Sequence, residues 1–141
     1  MSRVFEFIGD NIFLCAAFLA LLVFTIYFEY TKFFAGLKAL SPFAATKLLN
    51  EGEALFLDVR DDKEFKTGHV LNARNIPLTN MEKYMHELEK HKEKDVVVYC
   101  DSGQRAQRAG MKLRKSGFTQ LHIISGGLNE WQKANLPTVT E

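Results

Sequence analysis

The sequence is poor in cysteine. Its two cysteines, Cys15 and Cys100, lie 85 positions apart in a chain of 141 residues. A disulfide-rich scaffold of the kind found in small secreted domains is therefore excluded, and two free thiols are expected. Cys15 lies in an apolar run and is expected to act as a small hydrophobic side chain. The histidines are too scattered to suggest a metal site, and neither a metal nor another cofactor is expected.

The sequence also lacks an excess of charge of either sign. It has 18 Lys and Arg residues against 17 Asp and Glu residues, which are interleaved and give a net charge of +1. Because no long basic block occurs, nucleic acid is not an expected partner. Internal repeats and low-complexity segments are absent too. With 47% hydrophobic and 25% charged residues, the composition is typical of a folded globular protein.

Charged side chains are missing altogether from residues 11–28. At about 1.5 Å per residue, this run spans roughly 27 Å as a helix, which is close to the about 30 Å of a bilayer core. Four aromatic residues at its C-terminal end extend the match as an interfacial belt: Tyr27, Tyr30, Phe33 and Phe34. The run therefore predicts a single-pass transmembrane helix over residues 11–30.

Two other interpretations of this run are open. A cleaved signal peptide would need a more basic start than Arg3, which Glu6 and Asp10 offset. A buried core helix of this length would be unusual in so small a domain. The transmembrane interpretation is favoured, with residues 1–10 as a short N-terminal segment and residues 31–37 as a juxtamembrane linker.

The basic residues that flank the run predict its orientation. Arg3 precedes it, whereas three lysines follow it at positions 32, 38 and 47. Positive charge is retained on the cytoplasmic side of a membrane. We therefore expect an inner (plasma) membrane location, with the soluble domain in the cytoplasm.

Residues 38–141 alternate strand and helix signals. Ser41 and Pro42 are typical of a helix start, and Gly52 of its end. Short apolar runs that predict strands occupy residues 54–59, 73–76, 95–100 and 121–124. This alternation predicts an α/β fold, with a parallel sheet of about five short strands and helices on both faces.

Two amphipathic patterns predict the helix faces that pack in the core. Residues 81–91 carry one apolar stripe, made of Met81, Tyr84, Met85 and Leu88. The helix expected to start near Arg105 presents small and apolar residues at helical spacing: Ala106, Ala109, Gly110 and Leu113. We expect this second face to pack closely on the sheet.

Cys100 ends the most strongly β-branched run, VVVYC, and a short loop leads from it into a helix. Ligands of open α/β sheets bind at such carboxyl ends of strands. A thiolate at a helix N-terminus faces partial positive charge and unpaired N–H groups, which favour a nucleophilic cysteine. Gly103 allows the loop amides to turn inward as an anion nest. The alternative is an inert buried Cys100 followed by a routine turn.

Five motifs lie in a fixed order between residues 38 and 137: LDVR at 57–60, EFKTGHV at 64–70, ARNIP at 73–77, YCDSGQRA at 99–106 and GGLNEW at 126–131. Through these motifs the soluble part resembles the rhodanese-like sulfurtransferase family, in a membrane-anchored, single-domain bacterial form. The resemblance implies a rhodanese-like fold and a sulfurtransferase that uses an active-site cysteine.

The resemblance also implies roles for particular residues. Cys100 would be the nucleophile that carries a sulfane sulfur as a persulfide, and Arg105 would help to bind an anionic donor. The persulfide-binding loop would be formed by Asp101, Ser102, Gly103, Gln104 and Arg105. The implied partners are a sulfur donor and a thiol acceptor, either of which could be a protein.

Three further polar residues, Asp58, Arg60 and His69, are interpreted as structural support. Asp58 and Arg60 are expected to orient loops through hydrogen bonds and an ion pair. His69 follows a glycine at a turn, which favours a capping or packing role. A base that activates Cys100 is the alternative for His69.

Loop length separates this chain from the cysteine phosphatases, to which the rhodanese-like family is related. Their signature places an arginine six positions after the cysteine. Here Arg105 follows Cys100 by five positions, so the tighter loop favours a sulfur atom over a phosphate. Asp101, directly after Cys100, departs from the family pattern. Its negative charge disfavours an anionic donor such as thiosulfate.

A second function comes from another class. A diffusible sulfur carrier needs no membrane anchor, so the chain could instead be a membrane-tethered module that binds a protein partner on a rhodanese scaffold. Cys100 would then be dispensable.

Overall fold

A computed structural model describes residues 1–34 and 37–141 of the chain. The predicted linker at 31–37 includes residues 35 and 36, which lie outside the described residues, as do the side chains of residues 32–36. Of the expected aromatic belt, Phe33 and Phe34 therefore have side chains that the structure does not describe. The chain divides into two compact units, Met1–Phe34 and Ala35–Glu141.

The first unit consists of two helices. Helix α1 spans Ser2–Asp10, within the predicted N-terminal segment, for which the sequence predicted no helix. Helix α2 spans Ile12–Phe34, and its stretch Ile12–Thr31 is long and apolar enough to cross a membrane. Asn11 separates the two helices along the chain, and its side-chain amide donates to the Phe7 carbonyl at 3.1 Å.

The second unit is built on a five-stranded sheet. Its strands are β1 Leu37–Leu40, β2 Leu55–Asp58, β3 Arg74–Asn75, β4 Val96–Tyr99 and β5 Leu121–Ile124. Their spatial order is β1-β5-β4-β2-β3, and every pairing in the sheet is parallel. Strand β4 is central, and all of its residues are buried. The predicted α/β fold is confirmed.

Five helices cover the sheet: α3 Pro42–Glu51, α4 Asp62–Thr67, α5 Met81–Leu88, α6 Gln104–Lys115 and α7 Gly127–Lys133. Short 3-10 turns at Leu78–Asn80 and Glu89–His91 flank α5. The predicted signals of α3 are confirmed, because Ser41 Oγ accepts from the Ala44 N–H at 3.1 Å and Gly52 ends the helix at φ 75°.

Strand β4 divides the core into two layers by the alternation of its side chains. Val96 and Val98 pack with residues of α5 and α6, including Met81 and Leu113. Val97 and Tyr99 pack on the opposite face with residues of α3 and α7: Ala45, Leu128 and Trp131. The expected small face of α6 is confirmed, since all four of its residues are buried.

Two details differ from the sequence analysis. No strand was predicted before residue 54, yet Leu37–Leu40 forms the edge strand β1, paired with β5. The prediction that Tyr84 lies in the core is wrong, because its side chain is 36% exposed. Its ring packs instead against the guanidinium of Arg74, 5.9 Å from the ring centroid, and Arg74 also pairs with Glu87. This cation–π contact stabilises an aromatic ring at the surface.

Candidate active site

Cys100 lies directly after β4, at the carboxyl end of the central strand, and is fully buried. Its Sγ accepts a hydrogen bond from the backbone N–H of Gly103 at 3.0 Å. Gly103 has a φ of 112°, in a left-handed region that favours glycine and turns this amide towards the sulfur. Helix α6 begins at the next residue, one position earlier than predicted. Sγ therefore faces an amide donor at the start of a twelve-residue helix.

The N-terminus of α7 tethers the backbone of the Cys100 loop. The N–H of Leu128 donates to the Cys100 carbonyl at 2.8 Å, and the N–H of Asn129 donates to the Asp101 carbonyl at 3.1 Å. This approach depends on Gly127, at which a Cβ atom would lie 2.5 Å from the Cys100 carbonyl oxygen. This glycine lies within the GGLNEW motif, but the sequence did not predict its contact with the loop.

Replacing Gly127 with alanine is expected to destabilise the second unit by about 2–3 kcal/mol. The new methyl group would collide with the Cys100 carbonyl, and the residue would keep an unfavourable φ of 62°. Gly52→Ala is the matched control, because Gly52 has a φ of 75° with open space around its Cβ position. It should cost only about 1 kcal/mol.

Urea unfolding of both glycine variants can be followed by fluorescence of Trp131, the single and fully buried tryptophan. The difference between the two variants isolates the collision from the backbone strain. Equal losses of stability would contradict the close approach of α7 to the loop.

Arg105 lies one residue into α6 and holds two carboxylates. Its Nη1 and Nη2 donate to Glu64 at 2.8 and 3.0 Å, and Nη2 also lies 3.2 Å from Asp101 Oδ1. The hydrogen bond to Glu64 raises the pKa of Arg105 and lowers that of Glu64. Burial opposes ionisation of Asp101, but the bonds from Arg105 and the Ser102 N–H outweigh it and lower the pKa of Asp101.

Arg105 therefore belongs to a three-residue cluster in which a carboxylate from α4 supplies the strongest contact. Glu64 lies within one of the quoted motifs, but no sequence pattern indicated that it meets a residue 41 positions later. The implied role of Arg105 in binding an anionic donor stays a prediction. Such a donor would have to compete with two carboxylates for the guanidinium.

Asp58 and Arg60 form a buried ion pair at the end of β2. Arg60 Nη2 lies 2.7 Å from Asp58 Oδ2, and the same nitrogen donates to the Gly68 carbonyl at 2.7 Å. Burial opposes the charge of Arg60, but the hydrogen bond and the charge of Asp58 outweigh it and raise the pKa of Arg60. The pair links the end of β2 to the turn after α4, an arrangement in line with the expected supporting role.

His69 follows that turn and packs against α4. Its Nδ1 lies 2.8 Å from the Phe65 carbonyl, and its ring stacks on the Phe65 ring at 3.7 Å between centroids. Since a carbonyl only accepts, Nδ1 carries a proton. The backbone of His69 pairs with Val139 near the C-terminus. These contacts fit the packing role better than the alternative of a base.

Tyr99 adds a support that the sequence analysis missed. Its hydroxyl oxygen accepts from the Val70 N–H at 3.1 Å. Burial raises the pKa of Tyr99, and the charge of Asp58 raises it further. The hydroxyl thus stays protonated while it connects the last residue of β4 to the segment after α4.

Among the described residues, no group of three potential metal ligands occurs.

Comparisons with known proteins assign the second unit to a family. The family model described as Rhodanese-like domain matches residues 41–134. The uncharacterized protein YibN of Escherichia coli K12 is 32% identical over 140 residues, which cover 99% of this chain and 98% of YibN. The uncharacterized protein YqhL of Bacillus subtilis is 39% identical over 79 residues, which cover 56% of this chain and 61% of YqhL.

Solved structures give the same assignment. A rhodanese-related protein from Thermoplasma volcanium has a TM-score of 0.65 at 26% identity, over 74% of this chain and 99% of that chain. A thiosulfate sulfurtransferase from Pseudomonas aeruginosa has a TM-score of 0.67 at 27% identity, over 74% of this chain and 20% of that chain. With this fold, the Cys100 loop at the end of its central strand and a family match over residues 41–134, the chain belongs to the rhodanese-like domain family.

Proposed function

We propose that the chain is a sulfurtransferase that moves a sulfane sulfur through a persulfide on Cys100. The observation that carries the proposal is the Gly103 amide 3.0 Å from Cys100 Sγ, at the point where the central strand leads into α6. Membership of the rhodanese-like family supports it, as does the similarity to a protein named as a thiosulfate sulfurtransferase.

The reaction has two displacements at sulfur. In the first, the Cys100 thiolate attacks the outer sulfur of a donor persulfide, R–S–SH. A new S–S bond forms to Cys100 while the donor S–S bond breaks, and RS⁻ leaves with the electron pair. In the second, an acceptor thiolate attacks the outer sulfur of the Cys100 persulfide and restores the Cys100 thiolate. Neither step needs a redox cofactor.

The loop and α6 supply the electrostatics of these steps. Negative charge lies on Cys100 Sγ before the first displacement and returns to it in the second. The Gly103 N–H and the N-terminal end of α6 favour that charge through a direct hydrogen bond and the helix dipole. The tether from Leu128 and Asn129 keeps the backbone of the loop in place.

Sulfur transfer can be tested on the full-length chain in detergent, with cysteine persulfide or thiosulfate as donor and cyanide as acceptor. With at least one of the two donors, thiocyanate should form well above the rate at which that donor reacts with cyanide in the absence of the protein. If neither donor gives thiocyanate above that background, the proposal fails.

We further propose that α2 anchors the chain in the plasma membrane as a single pass, with residues 38–141 in the cytoplasm. The apolar stretch Ile12–Thr31 supports this, since none of it is buried in the protein. The similarity to YibN also extends over 99% of the chain and so includes this helix.

The full chain is expected to stay with carbonate-washed membranes, because burial of about twenty apolar residues in lipid is effectively irreversible. A variant that lacks residues 1–34 is expected in the soluble fraction. Reporter fusions at the C-terminus should report the cytoplasm. A full chain released by carbonate would contradict the anchor, and an external C-terminus would contradict the orientation.

A membrane-tethered binding module is the second candidate, and the apolar α2 favours it. Complementation of a deletion strain separates the two functions. Full rescue by Cys100→Ser would support binding without chemistry, and loss of rescue would support sulfur transfer.

A further inference from the structure

The cation of the Cys100 loop, the Arg105 guanidinium, is already engaged by carboxylates. The Arg105 guanidinium donates two hydrogen bonds to Glu64, at 2.8 and 3.0 Å, and lies 3.2 Å from Asp101. One cation thus faces two carboxylates, and the cluster carries a net negative charge. Arginine recognises anions through its planar fork of donors, and Glu64 already takes two of these.

Glu64 is held in this position by its own helix. It is the third residue of α4, and its Oε2 accepts from the backbone N–H of Asp61 at 3.0 Å in a capping box. The side chains of Arg105 and Glu64 are 30% and 38% exposed, so an anion in solution can reach the ion pair. Arg60, four positions before Glu64, is paired with Asp58.

We propose that Glu64 determines donor specificity by occupying Arg105 beside the negatively charged Asp101, so that the Cys100 loop disfavours dianionic thiosulfate and takes sulfur from the persulfides of thiols. This inference rests on the proposed sulfur transfer and names its class of donor.

The charge balance of the two donors explains the preference. With thiosulfate, the Cys100 thiolate attacks the outer sulfur, the S–S bond breaks, and sulfite leaves with the electron pair. A thiolate and a dianion must then meet beside two carboxylates. With a persulfide, the thiolate attacks the protonated form, R–S–SH, and releases RS⁻, so the reacting group of this donor carries no charge in the step. Like charges at close range slow the first encounter and not the second.

The test compares both donors on the full chain in detergent, with cyanide as acceptor. Glu64→Gln keeps the length and a capping oxygen, but removes the charge and releases part of the Arg105 fork. We expect kcat/KM for thiosulfate to rise on the order of tenfold. For cysteine persulfide, whose reacting R–S–SH group carries no charge, kcat/KM should stay within about twofold.

Asp62→Asn is the matched control, because it removes one negative charge from the same helix. Asp62 pairs with Lys66 at 3.0 Å, and both side chains are more than half exposed. Its charge is therefore screened by solvent. The ratio of the two kcat/KM values should change by less than about twofold in this variant.

Ionic strength gives a second measurement that a merely structural role would not affect. Added KCl should speed the thiosulfate reaction of the wild-type chain, because salt screens the repulsion. The acceleration should be smaller in Glu64→Gln.

An unchanged ratio in Glu64→Gln, or an equal shift in Asp62→Asn, would overturn the inference and leave sulfur transfer intact. A parallel loss with both donors would assign Glu64 a structural role and would also overturn it. If the wild-type chain takes sulfur from neither donor, the proposed function itself fails.

Discussion

Replacing Cys100 with serine is expected to abolish sulfur transfer, with a loss of at least about a thousandfold in the rate of thiocyanate formation. A serine hydroxyl stays protonated at neutral pH and forms no persulfide, so the first displacement has no nucleophile. Serine should preserve the fold, because its Oγ can accept the bond that Sγ now accepts from Gly103. The transfer assay measures the loss, and Trp131 fluorescence checks the fold.

Cys15 supplies the internal control for this result. It is the other free cysteine, and it lies in α2 within the first unit. Cys15→Ala should transfer sulfur at the wild-type rate, since it keeps the Cys100 loop intact. A Cys100→Ser chain that retained more than about a tenth of the wild-type rate would show that the sulfur passes elsewhere.

Replacing Asp58 with alanine is expected to destabilise the second unit by about 3–5 kcal/mol. Arg60, a residue only 5% exposed, would be left without its buried counter-charge. The cost comes from the unpaired charge and not from loss of an especially favourable bond. A double replacement, Asp58→Leu with Arg60→Met, should therefore recover much of the loss.

Urea unfolding followed by Trp131 fluorescence measures this effect in the full chain. Glu87→Gln is the matched control, because it breaks the pair with Arg74, in which both side chains are partly exposed. It should change stability by less than about 1 kcal/mol. If Asp58→Ala cost no more than Glu87→Gln, the account of the buried pair would be wrong.

Much of the second unit could be predicted from the sequence because its signals are local. The run at Val96–Tyr99 is β-branched and uniformly apolar, which is typical of a central strand covered on both faces. The start and end of α3 are marked by Ser41 and Gly52. The helix of the Cys100 loop follows from small residues at helical spacing. Each of these signals depends on residues within one helix or one strand.

Strand β1 lacked such a signal. It has only four residues, LKAL, and its two middle side chains are exposed at the sheet edge. Its pairing with β5 depends on residues more than eighty positions away. Gly110 of α6 contributes, because a Cβ atom there would lie 2.8 Å from Leu37 Cδ2. The close packing of α6 on this strand is a tertiary property that neither segment reveals alone.

The contacts of the candidate site also fall into local ones, which the sequence predicts, and tertiary ones, which it does not. The contact between the Gly103 amide and Cys100 Sγ could be predicted, because the two residues are close in sequence. The pairing of Arg105 with Glu64 could not, because it joins two helices that only the folded sheet brings together. The contact of Gly127 with the Cys100 carbonyl is of the same kind. Sequence patterns therefore predicted the position of Cys100 at the end of a strand, whereas the charge around its loop required the structure.

The mass of the full-length chain after treatment with cysteine persulfide tests the central claim most directly. We expect the wild-type chain to gain roughly 32 Da, the mass of one sulfur atom, on the peptide that contains Cys100, and to lose it on addition of cyanide. The Cys15→Ala chain should behave identically. Absence of this adduct, or its presence only on the peptide that contains Cys15, would contradict the account.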